Sequence, residues 1–193
     1  MVNRVMRYRE LRFLITLILW LGAGGTVAAG YTPADRSEED TSWSVTLVAL
    51  DEPGEPMIVS GTVYHQDGKT PVRGALLYVY QTDAAGYYNR RDNWHGPPRI
   101  KGWMKTDGRG RYQFRAIKPA PYPNQRMAAH VYVKLRLPGG VDHEVEEYLF
   151  EGDPNIAPEV ERRSAGKGRF SPIVRLSRGP DGILHGERDL RAE

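Results

Sequence analysis

The sequence predicts an all-β protein whose strands form an antiparallel β-sandwich. Three observations support this fold class. Short segments rich in β-branched and aromatic residues alternate between apolar and polar positions, which is the pattern of half-buried strands. Gly and Pro clusters separate these segments, and the 193 residues include 21 Gly and 14 Pro. The only helical candidate is one short segment, residues 158–163.

Three strands are predicted in the first half of the domain. Residues 44–50 alternate in polarity and end at the turn signal Asp51-Glu52-Pro53-Gly54. Residues 57–65 form the second strand, which the turn signal Gln66-Asp67-Gly68-Lys69 closes. Residues 75–81 are rich in Leu, Val and Tyr and form the third.

Three further strands follow. Residues 111–117 come after a Gly-rich turn at residues 106–110, and residues 129–137 end before Pro138-Gly139-Gly140. A shorter strand is predicted over residues 145–150. Regular spacing of strands and turns favours antiparallel neighbours in a sandwich.

Residues 1–29 are interpreted as a signal peptide. Four arginines precede an apolar run over residues 13–21, and Val27-Ala28-Ala29 offers a cleavage site. The run is too short to span a bilayer comfortably, so we expect an exported protein, periplasmic or extracellular, without a membrane span after cleavage. An uncleaved anchor is the alternative. Residues 30–42 are predicted to be a flexible lead-in to a domain over residues 43–193.

Charge and cysteine content exclude several classes of protein. The chain has 27 Lys plus Arg and 24 Asp plus Glu, and the leader contains four of the basic residues but one acidic residue. The remainder is nearly neutral, which argues against a nucleic-acid partner. No Cys is present, so there is neither a cysteine nucleophile nor a disulfide framework. The sequence also lacks a nucleophile elbow and a phosphate-binding loop, which disfavours hydrolase and nucleotide-binding functions.

One group of side chains suggests metal chemistry. His130 and Tyr132 are two residues apart on a predicted strand, so they point to the same face. Tyr122 lies in a proline-rich loop just upstream, and Tyr88 follows a Gly turn. Phenolate oxygen and imidazole nitrogen together suit a hard trivalent ion, Fe(III) above all. Tyrosines are also common in β-sandwiches, so these residues alone leave a purely structural role open.

A series of short motifs between residues 61 and 154 resembles one family. The similarity covers about half of the chain in the expected order. The motifs are Gly61-Thr62-Val63, Gly68-Lys69-Thr70-Pro71-Val72, Val79-Tyr80-Gln81-Thr82-Asp83, Gly86-Tyr87-Tyr88, Thr106-Asp107-Gly108, Tyr112-Gln113-Phe114, Ile117-Lys118-Pro119, Tyr122-Pro123, His130 and Phe150-Glu151-Gly152-Asp153-Pro154. Together they are similar to the intradiol ring-cleavage dioxygenases. That family has a β-sandwich fold, which agrees with the strand pattern.

The resemblance implies a mononuclear non-haem Fe(III) held by two tyrosines and a His-x-His pair. Tyr88 and Tyr122 match the two tyrosines, and His130 matches the first histidine. Tyr132 stands where the second histidine is expected. We expect Tyr132 to bind the metal or to lie one shell away from it.

The resemblance also implies catalytic roles. Tyr122 matches the tyrosine that substrate displaces and that then acts as a base. The arginine expected three residues before the first histidine is Met127 here, and Arg126 is the nearest candidate for its charge-stabilising role. A Thr-Gln pair of the family is replaced by Glu146-Glu147.

The expected function is therefore that of an Fe(III)-dependent intradiol dioxygenase, with a small aromatic diol and O2 as its partners. The alternative is an exported family member that has lost ring cleavage and binds iron or an aromatic compound. A third hypothesis is a structural β-sandwich for adhesion or interaction. The sequence leaves the oligomeric state open, with a homo-oligomer as one option.

Overall fold

Two β-sheets pack face to face across an apolar core. The computed structural model describes residues 41–89 and 97–192. Its elements, in chain order, are β1 (Ser44–Thr46), β2 (Pro56–Tyr64), β3 (Leu76–Gln81), β4 (Ile100–Lys105), β5 (Arg111–Ile117), β6 (His130–Arg136), β7 (Asp142–Phe150), α1 (Pro158–Ser164), a 3₁₀ turn (Gly168–Phe170), β8 (Ile173–Val174), β9 (Ser177–Arg178), β10 (Leu184–Glu187) and β11 (Leu190–Arg191).

The order of strands confirms the predicted β-sandwich, to which short strands add parallel pairs. Sheet one has the order β1-β5-β2-β10-β9, with β11 also paired to β2, and sheet two has the order β4-β3-β6-β7-β8. Long neighbouring strands are antiparallel. Four short strands pair in parallel: β1 with β5, β10 and β11 with β2, and β8 with β7. Both sheets are therefore mixed. The sequence did not predict the parallel pairs, because alternation of polarity along a strand carries no information about its direction.

The long predicted strands are found within one or two residues of their expected ends, except at β7. That strand begins at Asp142 instead of 145. The first strand is shorter than predicted, since ladder pairing with β5 ends at Thr46 and Leu47 and Val48 then turn into the core. Strand β4 and the four short strands after α1 were not predicted. Strand β4 contains Gly102 in the middle of a six-residue segment, and strands of two to four residues are too short to show alternation.

The core fills the space between the sheets. Inward-facing side chains alternate with outward-facing ones along β2, β3, β5 and β6. The largest fully buried side chains are Tyr112, Tyr148, Phe114, Phe150, Met57, Leu77, Ile100 and Met104. On β6 the residues Val131, Val133 and Leu135 are buried in this core. Tyr132 therefore points to the outer face of sheet two, together with its cross-strand neighbour Tyr80 on β3.

The N-terminal predictions fall largely outside the described residues. The predicted signal peptide lies in the part of the chain before residue 41, as does most of the lead-in. Contacts with the domain begin by Ser42, whose carbonyl accepts a hydrogen bond from the Lys105 amide at 3.1 Å. Within the described ranges, no helix has the length and apolar character needed to cross a membrane.

Candidate metal centre

Four of the side chains singled out in the sequence meet at one place beside sheet two. The hydroxyls of Tyr88 and Tyr122 share a short hydrogen bond. The Tyr122 hydroxyl also lies 3.2 Å from Nε2 of His130. The rings of His130 and Tyr132 are nearly perpendicular, with centroids 4.7 Å apart. Three phenol oxygens and one imidazole nitrogen are thus grouped, although they come from two loops and a strand.

The two loops that carry Tyr88 and Tyr122 are fixed against each other by backbone contact. Gly86 has a φ of 83°, and a Cβ at this position would overlap the carbonyl oxygen of Pro121. Only glycine combines that dihedral angle with so close an approach. Thr82 adds a hydrogen bond from its hydroxyl to the carbonyl of Ala120, at 2.7 Å. These contacts bring the two tyrosines within reach of one another.

The position and protonation of His130 are set by two neighbouring contacts. Its Nδ1 lies 2.8 Å from the carbonyl oxygen of Ala128. A carbonyl can only accept, so Nδ1 carries a proton, and Nε2 is the ring nitrogen that faces Tyr122. The Asp153 carboxylate accepts a hydrogen bond from the Ala129 amide at 2.8 Å and anchors the entry to β6. A histidine held this way is prepared to bind a metal through Nε2.

Tyr132 is placed by strand pairing. It lies opposite Tyr80 on β3, and the two rings stack with centroids 4.8 Å apart and an interplanar angle of 15°. On the other side, the register between β6 and β7 shifts, so that Glu146 and Glu147 both lie opposite Tyr132. This bulge sits next to the group of donors, as bulges commonly do beside functional sites.

The environment keeps two of these phenols protonated. Burial raises the pKa of Tyr88 and the pKa of Tyr132 above the ordinary phenol value, and hydrogen bonding to Tyr122 raises each further. Losing these protons at neutral pH would require a nearby positive charge to stabilise the phenolates. A trivalent cation would supply that charge.

The donor set fits Fe(III) better than it fits other common metals. Among residues 41–89 and 97–192, no three His, Asp, Glu or Cys side chains are grouped for metal binding. The oxygen donors here are tyrosines, and hard phenolate oxygen with imidazole nitrogen suits ferric iron. The residues that would hold the ion are Tyr88, Tyr122 and His130, with Tyr132 adjacent.

Arg126 forms no contact with this group in the described part of the chain. Its side chain is exposed, and it follows Asn124, which has a φ of 62° in the turn after Tyr122. Within the described ranges it forms no hydrogen bond or ion pair. Met127 is 42% exposed. The catalytic role predicted for Arg126 thus stays a prediction.

Three supporting residues were missed in the sequence analysis. Tyr80 stacks on Tyr132, Ala128 accepts from His130, and Asp153 tethers the start of β6. Tyr80 and Asp153 both lie in motifs of the family resemblance, which is the signal that singles them out. The role of Ala128 depends on its carbonyl, so no feature of its side chain indicates it.

Comparison with known sequences supports the interpretation of this site. The family described as Dioxygenase matches residues 30–167. The protocatechuate 3,4-dioxygenase beta chain of Burkholderia cepacia is 33% identical over 138 residues, covering 66% of this chain and 58% of that protein. Catechol 1,2-dioxygenase 1 of Acinetobacter lwoffii is 34% identical over 102 residues, covering 52% of this chain and 29% of that protein. The aligned part therefore spans less than two thirds of either relative.

Solved structures share the fold. The dioxygenase domain of a dioxygenase and carbohydrate-binding protein fusion from Streptomyces sp. SirexAA-E aligns with a TM-score of 0.60 and 23% identity, covering 83% of this chain and 97% of that chain. Catechol 1,2-dioxygenase from Pseudomonas arvilla C-1 aligns with a TM-score of 0.60 and 21% identity, covering 78% of this chain and 56% of that chain. With a family match over most of its length and the same β-sandwich, this chain belongs to the intradiol dioxygenase family.

Proposed function

We propose that the protein is an Fe(III)-dependent intradiol ring-cleavage dioxygenase that acts on a catechol-type aromatic with O2. The observation that supports this proposal most is the meeting of Tyr88, Tyr122 and His130 at one point in a member of this family. When bound, Fe(III) would supply a Lewis acid that accepts both hydroxyl oxygens of a catechol and activates the ring towards O2.

Tyr122 is the proposed base. It lies on a loop and not in a strand, so its ring can swing without breaking a ladder of hydrogen bonds. Its hydroxyl lies between Tyr88 and His130, which gives two partners for a proton taken from the substrate. A group placed in this way meets the geometric requirement for general base catalysis.

Iron binding and oxygen consumption together test this function. The protein, expressed with iron, should contain about one iron per chain and show a visible phenolate-to-iron absorption band. Adding catechol should then start oxygen uptake. A colourless protein that takes up no iron would overturn the metal centre. A coloured protein that consumes no oxygen with any catechol tried would overturn ring cleavage and favour a binding role.

Tyr132 is proposed as the fourth ligand. A third phenolate would add negative charge at the metal, lower its Lewis acidity and slow catechol binding. Tyr132→His should weaken or blue-shift the visible band and raise catechol cleavage, and Tyr132→Phe should retain iron but bind it less tightly. If both variants keep the parent spectrum and iron affinity, Tyr132 is not a ligand.

Arg126 is proposed to stabilise the charge that develops on the ring. Because a positioned charge acts mainly on the transition state, Arg126→Ala should lower kcat on the order of a hundredfold while the visible band persists. Arg109→Ala, which changes another exposed arginine in a turn away from the tyrosines, is the control. An unchanged rate would show that Arg126 is a surface residue.

Export of the protein is part of the same proposal. Residues 1–29 have the features of a cleavable leader. Mass spectrometry of the protein recovered from the envelope fraction should find an N-terminus near Gly30. Recovery of the full-length chain from the membrane would favour an uncleaved anchor.

A further inference from the structure

A cavity of about 580 Å³ lies at the opposite end of β6 from His130. Its walls come from the C-terminal end of β6, from the first half of β7, from the segment around the 3₁₀ turn and from residues 188–192, which include β11. None of its lining residues belongs to the candidate metal centre. The volume is typical of a site for a small organic ligand.

Arg188 is the unusual residue in the wall of this cavity. It is only 3% exposed. Its Nη1 donates to the carbonyl oxygens of Glu146 and Glu147 at 2.8 and 3.1 Å, and its guanidinium lies 4.6 Å from the ring centroid of Tyr148. Its Nε is buried and has no hydrogen-bond partner in the structure. Nε is enclosed by the protein, whereas Nη2, which forms no hydrogen bond within the described part of the chain, is the nitrogen left to face the cavity.

No described carboxylate neutralises Arg188. The neighbouring Asp189 instead accepts from the Thr62 amide at 2.7 Å and pairs with Arg169 at 3.2 Å. A buried cation without a counter-ion is costly, because the two carbonyl contacts and the Tyr148 ring replace only part of the hydration that burial removes. Natural interiors seldom leave such a group unsatisfied.

The other acidic side chains of the cavity wall have basic partners of their own. Glu144, which is largely exposed to solvent, lies 4.0 Å from Lys134. The Glu146 carboxylate forms ion pairs with Lys167 at 2.6 Å and with Arg163 at 3.5 Å, which neutralise its charge. Arg191 stacks on Phe170, with 4.4 Å to the ring centroid, and forms no ion pair within the described ranges. Two arginines without carboxylate partners thus line one cavity.

The apolar part of the wall favours an organic anion over an inorganic one. Leu135, Leu137, Val145, Phe170 and Leu190 all line the cavity. Inorganic phosphate or sulfate would leave this surface unfilled, whereas an apolar body would cover it. A carboxylate also forms a strong, charge-assisted hydrogen bond with a guanidinium N–H such as Nη2 of Arg188.

We propose that this cavity binds a small organic carboxylate. Its carboxylate accepts a charge-assisted hydrogen bond from Nη2 of Arg188, and Arg191 adds a second positive charge in the cavity wall. Its apolar body packs on Leu135, Phe170 and Leu190. The proposal is independent of ring cleavage, because it rests on no residue of the metal centre.

The test uses 4-bromobenzoate as the probe and the iron-loaded protein as the target. Calorimetry should give a dissociation constant of about 1 mM or lower, and crystals soaked with the probe should show one bromine in the cavity by anomalous scattering. The neutral analogue 4-bromobenzyl alcohol and inorganic sulfate should each bind at least tenfold more weakly. Bromine found only beside Tyr122, or equal affinity for the neutral analogue, would overturn the proposal.

Two variants assign the binding to these arginines. Arg188→Met should reduce affinity for 4-bromobenzoate more than tenfold, and Arg191→Met, which changes an exposed side chain and should fold normally, should reduce it several-fold. Arg175→Met is the matched control, because Arg175 is an exposed arginine outside the cavity wall. Affinity unchanged in Arg191→Met and in any folded Arg188→Met protein would overturn the site. The visible iron band reports separately on the metal centre.

Discussion

Two pairs of tyrosines in this molecule have similar contacts and different surroundings. The hydroxyls of Tyr112 and Tyr148 are 2.5 Å apart inside the sandwich, and both side chains are completely buried. The hydroxyls of Tyr88 and Tyr122 also share a short hydrogen bond, but these side chains are half-buried beside sheet two. A phenol pair by itself therefore does not indicate a functional site.

The third partner distinguishes the two pairs. Tyr112 donates to the carbonyl oxygen of Arg188 at 2.5 Å, so its proton is used in a fixed, neutral contact. Tyr122 instead lies beside Nε2 of His130, the ring nitrogen that does not donate to the Ala128 carbonyl. Burial raises the pKa of Tyr148 to about 12, although Arg188 and the hydrogen bond with Tyr112 both act to lower it. The internal pair is complete, whereas the pair near the surface offers donor atoms to a cation.

The largest effect that separates the pairs should come from Tyr88→Phe. Removing one phenol oxygen from the proposed ligand set should lower iron affinity on the order of a hundredfold or more, which exceeds the usual loss from an outer-shell change. Iron content and the visible band measure this. Tyr87→Phe changes the neighbouring tyrosine and should keep both. Full iron loading of Tyr88→Phe would contradict the proposed role of Tyr88.

Gly86→Ala should separate Tyr88 from Tyr122 without changing either residue. The new Cβ would overlap the Pro121 carbonyl and would also have to adopt a positive φ. We expect a loss of stability above the roughly 1–2 kcal/mol that positive φ alone costs, together with weaker iron binding. Urea denaturation and iron titration measure the two effects.

Gly139→Ala is the control for that experiment. Gly139 has a φ of 74° but nothing lies within 4 Å of an added Cβ. The Gly139→Ala variant should therefore lose only the stability that positive φ costs, and it should bind iron normally. Equal losses in both glycine variants would show that contact with the Pro121 loop does not position the tyrosines.

A smaller effect is expected from Tyr112→Phe, and it should appear in the stability of the fold and not in iron binding. The variant leaves the Tyr148 hydroxyl and the Arg188 carbonyl without their partner in a dry interior, which should cost about 1–3 kcal/mol of unfolding free energy. Iron binding should be unchanged. Tyr64→Phe, which removes a hydroxyl in contact with the exposed Arg169, should change stability by less than about 0.5 kcal/mol. Loss of the iron band in Tyr112→Phe would remove the distinction between the pairs.

The sequence was most informative where periodicity or motifs are strong. Alternation of polarity located β2, β3, β5 and β6, and it placed His130 and Tyr132 on one face. The family motifs indicated Tyr88 and Tyr122, which no local pattern would bring together, since they are 34 residues apart.

Tertiary features were not accessible in the same way. The short strands after α1 depend on pairing with distant strands, and two to four residues give no period. The tether from Asp153 to Ala129 and the environment of Arg188 depend on which segments pack together. An arginine in a polar sequence such as residues 186–191 resembles a surface residue until its neighbours are known.

The parallel pairing of β10 with β2 also has a consequence for folding kinetics. Leu184 lies opposite Met57 and Glu187 opposite Ser60, so these contacts join residues more than 120 positions apart. During synthesis, the edge of β2 stays open until nearly all of the domain has left the ribosome. Closure of such long loops is slow, and we expect refolding in milliseconds to seconds, with the contacts of residues 184–191 among the last to form.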